Sequence, residues 1–203
     1  MAADVTLARG FAEIGAGAWL MGCVQPVASF GAFRRRPRKG WIVRDRTRLD
    51  LVETDGRTVC ADAARPFLTH VPCAAPVSAV TDKVLVAPAE ARTAAHLVKV
   101  IPMSFARALC VTTFGREWVV LATASRTMRL SVADGDTLAV RPEAVVAWTG
   151  GRPTGFCPHL GLFDVLLPRG PRTLLLHFHG PCIVWIEGSF SHPGCNLSKR
   201  RVY

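Results

Sequence analysis

From Trp41 onward the chain is a succession of short apolar or alternating runs, each broken after a few residues by Gly, Pro, Asp or Asn. Breakers about every ten residues leave little room for an ordinary helix, and alternation with a period of two lays apolar side chains on one face of a pleated ribbon. The pattern predicts strands over 41–44, 48–53, 57–61, 83–87, 96–101, 107–113, 117–123, 127–132, 137–140, 144–148, 162–167, 173–178 and 182–187. Strands so short and so evenly spaced imply an all-β fold, a two-sheet β-sandwich or a double-stranded β-helix-like variant of it, with little helix. The Ala-rich stretch Pro88–Ala95 is read as one or two helical turns.

Two turns are the sharpest local signals. Thr54-Asp55-Gly56-Arg57 and Ala133-Asp134-Gly135-Asp136 each set Asp-Gly between apolar runs, where glycine accepts positive φ without steric cost, and each is read as a β-hairpin. In the second, Leu130, Val132, Leu138 and Val140 share one face, and Arg129, Ser131, Thr137 and Ala139 the other. The stretches Arg48–Asp62 and Arg129–Pro142 resemble each other and suggest duplication of a strand–turn–strand unit. Half of the 203 residues are hydrophobic and 20% are charged, which excludes a disordered chain.

The formal net charge of +10 is concentrated. Between Arg34 and Arg48 eight basic residues face one aspartate, and Lys199, Arg200 and Arg201 follow near the C-terminus, so these two segments carry the whole excess. The expected division is an N-terminal extension over 1–40 that is targeting, membrane-proximal or flexible, a β-sandwich domain over 41–190, and a basic tail over 191–203. Gly10–Phe33 is weakly polar and flanked by Arg34-Arg35-Arg36, the layout of a membrane segment; Glu13, Gln25, Pro26 and its glycines oppose spanning. The first 33 residues set Arg9 against Asp4 and Glu13, a poor transit peptide, and Glu13 also spoils the lipoprotein-like box Leu20-Met21-Gly22-Cys23. The seven cysteines are odd in number, include no Cys-x-x-Cys pair and partly sit in apolar runs, as reduced cysteines of an intracellular or organellar protein do.

The segment from Cys110 to Ser189 resembles the altered inheritance of mitochondria family of mitochondrial-biogenesis proteins, whose bacterial relatives share a β fold with the trp RNA-binding attenuation protein. The resemblance is carried by Phe114-Gly115-Arg116-Glu117-Trp118-Val119-Val120-Leu121, by the acidic-glycine turn within Val132–Val140, by Val145-Val146-Ala147-Trp148 and by His179-Gly180-Pro181-Cys182-Ile183-Val184-Trp185-Ile186-Glu187. The chain departs from that pattern at Arg116, Cys182 and Glu187. The resemblance implies a non-enzymatic structural or assembly factor, oligomeric, working through protein contacts in a mitochondrion or, for a bacterial protein, in the cytoplasm.

His177-Phe178-His179 places two imidazoles on one strand face, as in cupin metal sites, but Glu187 follows too late and Gly180-Pro181 intervenes. Cys157, His159, His192 and Cys195 form a two-plus-two set of zinc ligand types, with nothing in the sequence to bring the pairs together. There is no Gly-x-Ser-x-Gly elbow, no phosphate-binding loop and no carboxylate pair outside turns, so an enzyme is the least supported class and no cofactor or small-molecule substrate is implied. The polyanion-binding candidates are Arg34, Arg35, Arg36, Arg38, Lys39 and Trp41, with Lys199, Arg200 and Arg201 at the tail: guanidinium forks pair with phosphate and an indole stacks on a base or lies at a lipid interface. Two functions are therefore expected to compete. One is a structural or assembly protein with protein partners and copies of itself; the other is a basic component of a ribonucleoprotein, such as an organellar ribosome, held to RNA phosphates by the arginine-rich segments, which would equally suit an anionic membrane. A cupin-like metal enzyme ranks third.

Overall fold

A computed structural model describes residues 5–22, 26–36, 49–101, 104–115, 117–156 and 175–188. These form strands joined by turns and by two short 3-10 segments, Thr81–Lys83 and Pro142–Ala144. The fold is all-β, with antiparallel sheets packed as a sandwich.

Strand β1 (Val5–Ala8) flanks the first of three units. Unit one comprises β2 (Phe11–Ile14), β3 (Gly17–Met21), β4 (Pro26–Ser29), β5 (Phe33–Arg36), β6 (Asp50–Thr54) and β7 (Thr58–Cys60). Unit two comprises β8 (Phe67–Pro72), β9 (Val77–Val80), β10 (Val84–Pro88), β11 (Thr93–Ile101), β12 (Ser104–Phe114) and β13 (Trp118–Thr123). Unit three comprises β14 (Thr127–Val132), β15 (Thr137–Val140), β16 (Val145–Thr149), β17 (Thr154–Phe156), β18 (Leu175–His179) and β19 (Cys182–Glu187).

The units are topological copies. The two six-stranded sheets run β5-β6-β3-β10-β13-β8 and β11-β12-β9-β16-β19-β14, the same order advanced by six strands. In every unit the third, sixth and first strands form one half-sheet, and the fourth, fifth and second form the other. Half-sheets of successive units then join edge to edge, the second strand of one unit pairing with the third of the next: β3 with β10, and β9 with β16. A register shift recurs at the same place in each third strand, between Pro26 and Ala28, Val84 and Val86, and Val145 and Ala147. Three apolar clusters follow the units, centred on Ile14, Trp19 and Val52; on Val71, Phe114 and Leu121; and on Trp148, Leu176 and Phe178.

This winding corrects two expectations. The Asp-Gly turns at 55–56 and 134–135 are not hairpins, because β6 and β7 lie in different sheets, as do β14 and β15. Each turn is a corner where the chain passes from one sheet to another; the expected faces nevertheless hold, with Val132 and Val140 buried and Arg129, Ser131, Thr137 and Ala139 exposed. The two stretches thought to be duplicates are consequently not equivalent, one being a fifth-to-sixth corner and the other a first-to-second corner. The duplicated element is the whole six-stranded unit.

The segment 1–40 is not an extension outside the β body over its described part, since Val5–Arg36 supplies β1 to β5 and buries Ala12, Ile14, Trp19, Leu20 and Met21. Glycines that made it look weakly structured serve close packing: a Cβ on Gly22 would overlap the Val84 carbonyl, and its N–H donates to the Leu85 carbonyl at 3.2 Å. Among the described residues no helix is long and apolar enough to cross a membrane. The Ala-rich 88–95 is likewise not helical; Pro88 ends β10, and Thr93, Ala94 and Ala95 pair with β12, long-range pairing overriding alanine's helix preference. The strands expected at 41–44 and 162–167, and the tail 191–203, lie outside the described residues.

A buried cation stitches unit two to unit three. Lys83, 7% exposed, donates from Nζ to the Glu143 and Val145 carbonyls at 2.9 Å each and to Glu187 Oε1. The other Glu187 oxygen accepts the Ala124 N–H at 3.1 Å. Removing one partner leaves the other charge buried and two carbonyls unserved, so Lys83→Met is expected to cost about 3 kcal/mol in urea unfolding, with the double change Lys83→Met/Glu187→Gln costing less than the single one. At the corner between β18 and β19, the Gly180 N–H donates to the Asp136 carbonyl at 3.1 Å, and a Cβ there would overlap the Ala133 carbonyl. Gly180→Ala is expected to lose about 2 kcal/mol or more in the same measurement, because backbone rather than a flexible side chain must give way.

Candidate functional site

The basic run begins on a strand. β5 is an outer strand held by β6, with Arg34 opposite Glu53, Arg35 opposite Val52 and Arg36 opposite Leu51. Alternation turns Arg34 and Arg36 to solvent and Arg35 inward. The Arg35 guanidinium donates from Nε to Asp50 Oδ2 at 2.7 Å and from Nη2 to the Gly22 carbonyl at 2.6 Å. Its charge is already matched by a carboxylate 10% exposed, so it acts within the fold. Arg36 Nη2 lies 3.6 Å from Glu53 Oε2 at the surface. Arg34, Glu53, Ala32, Thr54 and Asp55 line a shallow open depression, in which Asp55 Oδ1 accepts the Ala32 N–H at 2.6 Å as a turn residue. The described part of the run thus presents two arginines beside one glutamate. Arg38, Lys39, Trp41, Lys199, Arg200 and Arg201 lie outside the described residues.

The histidine pair sits on β18, with Phe178 between them turned into the core. His179 Nδ1 is 3.0 Å from Thr137 Oγ1 and its Nε2 is 3.5 Å from Thr154 Oγ1, so both ring nitrogens are directed at hydroxyls of the flanking strands β15 and β17. Partial burial, and after it the neighbouring His179, hold the pKa of His177 below the usual histidine value. Glu187 is engaged by Lys83 and Ala124. Among the described residues no three His, Cys, Asp or Glu side chains gather as a metal set. The other proposed ligands, Cys157, His159, His192 and Cys195, lie outside the described residues.

Burial raises the thiol pKa values of Cys60 and Cys73 to about 11, opposed by Arg35 at Cys60 and reinforced by Glu117 at Cys73. Burial raises that of Cys182 as well. These free cysteines are therefore thiols at neutral pH, suited to packing rather than to nucleophilic attack.

The surface that sequence reasoning missed is the outer edge of β4. This strand pairs with β7 on one side and ends its sheet on the other. Val27 is 61% exposed and Phe30, just beyond the strand, 78%. The matching strands β10 and β16 have neighbours on both sides, and their residues Leu85 and Val146, equivalent to Val27, are 0% exposed. The signal available in the sequence was the recurrence of Pro26-Val27-Ala28-Ser29 as Val84-Leu85-Val86-Ala87 and Val145-Val146-Ala147-Trp148. Among the described residues, β4 and β15, at opposite ends of the unit series, are the two strands that lack the inter-unit neighbour.

No protein-family profile matches the sequence, and no curated protein matches it. Among solved structures, the chain is similar to the crystal structure of protein SPYM3_0169 from Streptococcus pyogenes, with a TM-score of 0.66, 11% identity and coverage of 92% of each chain. At that identity the likeness concerns the fold.

Proposed function

We propose that this protein is a non-enzymatic structural or assembly factor that works through protein–protein contacts made by strand edges and sheet faces. The observation that carries the reading is the open edge at β4, where Val27 and Phe30 stand in water although Leu85 and Val146, the equivalents of Val27 in the other units, are buried. An exposed apolar edge offers unpaired backbone donors and acceptors together with side chains to bury, which suits protein binding more than capture of a small polar substrate. The role agrees with the resemblance to the mitochondrial-biogenesis family, which also supplies the proposed compartment: a mitochondrion, or the cytoplasm of a bacterium.

The second reading, a ribonucleoprotein component, rests on Arg34 and Arg36, which project from β5 and lead toward the remaining basic run. Their shared neighbour Glu53 reduces the local positive field. The two readings separate by titrating nuclease-treated protein with a short single-stranded RNA over a range of salt concentrations. Under the assembly reading Arg34→Gln/Arg36→Gln changes RNA affinity less than twofold; a loss of tenfold or more, with a steep salt dependence for the unaltered protein, would establish the RNA reading in its place. Arg35→Ala acts differently, lowering stability by about 2 kcal/mol in urea unfolding because it removes the guanidinium from the largely buried Asp50 carboxylate.

A further inference from the structure

The two open edges are complementary by construction. Inside the chain the same joint is made twice: β3 with β10 and β9 with β16, both antiparallel. In the first, Met21 faces Val86 and Leu20 faces Ala87; in the second, Ala79 faces Ala147 and Ser78 faces Trp148. Met21 and Ala79 each stand five residues before the third strand of their own unit, at Pro26 and Val84, and Val140 stands five before Val145. The residues they meet, Val86 and Ala147, each follow the register shift of the third strand, as Ala28 does in β4. The second strand of unit three and the third strand of unit one therefore hold the two halves of a joint already built twice.

We infer that β15 of one copy pairs antiparallel with β4 of a second copy, with Val140 opposite Ala28, Ala139 opposite Ser29 and Leu138 opposite Phe30. The packing supports the backbone match. Leu85 of β10 enters the apolar cluster of the preceding unit beside Ile14 and Trp19, and Val146 of β16 enters the cluster of unit two beside Val71 and Phe114. Val27 occupies their equivalent position, and among the described residues no unit precedes its own. In a second copy the corresponding cluster holds Val140, Leu176 and Phe178, with Leu138 packed at its margin. Seating Val27 there removes from water a side chain now 61% exposed and completes the ladders of both edges. The contact is heterologous, head to tail, so an open series keeps one free edge at each end until it closes on itself.

This assignment deepens the contact-making reading above and rests on it in taking strand edges as the working surface; self-association through another face would remove the joint and leave that reading standing. The test uses the full chain in multi-angle light scattering at micromolar concentration and high salt. The unaltered protein should show a mass at least twice the 22.0 kDa of one chain. Val27→Glu/Phe30→Glu, both at exposed positions, should run as a single chain with an unchanged circular dichroism spectrum, and Leu138→Glu should do the same. Mixed in equal amounts, the two variants each keep one intact edge, and a discrete dimer should appear. A monomeric unaltered protein, oligomers that survive Val27→Glu/Phe30→Glu, or a mixture of folded variants that stays monomeric would each overturn the joint. Should Leu138→Glu not fold, Val27→Glu/Phe30→Glu titrated into the unaltered protein decides the matter: chain-capping should lower the mean mass, and an unchanged mass would overturn it.

Discussion

A β-strand in the middle of a sheet must satisfy hydrogen-bonding groups along both of its sides, and in this molecule the second side is supplied by a different unit. The joints β3–β10 and β9–β16 are what turn three thin pairs of half-sheets into continuous layers. Each six-stranded unit alone would leave edges bare and one face of each half-sheet poorly covered, as β4 shows in unit one. The apolar clusters reflect the same dependence, since Leu85, Val86, Val120 and Ala122 of unit two are buried in one core with Ile14, Trp19 and Val52 of unit one. Stability in such a fold belongs to neighbouring pairs of units rather than to any unit by itself.

Buried ionised groups add ties both between units and within one. Lys83 reaches from the turn before β10 to two carbonyls and a carboxylate of unit three, and Arg35 ties β5 to Asp50 of β6 and to the Gly22 carbonyl beyond β3. Both are cations that a charge tally counts as available to a polyanion. Their positions within the fold explain why a strongly basic composition overstates the described basic surface.

What was legible in the sequence follows from what alternation encodes. Period two reports which face of a strand is buried, so the segments around 84–88, 118–123, 127–132, 137–140, 145–149 and 182–187 were placed within a residue or two and Leu130, Val132, Leu138 and Val140 were assigned to one face. Alternation says nothing about which strand lies alongside. Asp134-Gly135 has the turn chemistry of a hairpin and forms a turn, with Asp136 N–H on the Ala133 carbonyl, yet the chain leaves it for the opposite layer. The repeat leaves no residue pattern because its units share positions rather than residues: Pro26, Val84 and Val145 are equivalent, as are Ser29, Ala87 and Trp148. The first unit was hidden further by glycines such as Gly22, needed where β3 meets β10 but indistinguishable in sequence from linker residues.

The recurrence of one joint has a consequence for how such a chain can change length. Because the strand that begins a joint and the strand that receives it belong to every unit, a gene segment encoding one complete set of six strands can be inserted or excised without altering the chemistry of either terminus of the array. Variation by whole modules thus preserves the backbone joint, whereas loss of a partial module would strand a donor edge with no acceptor.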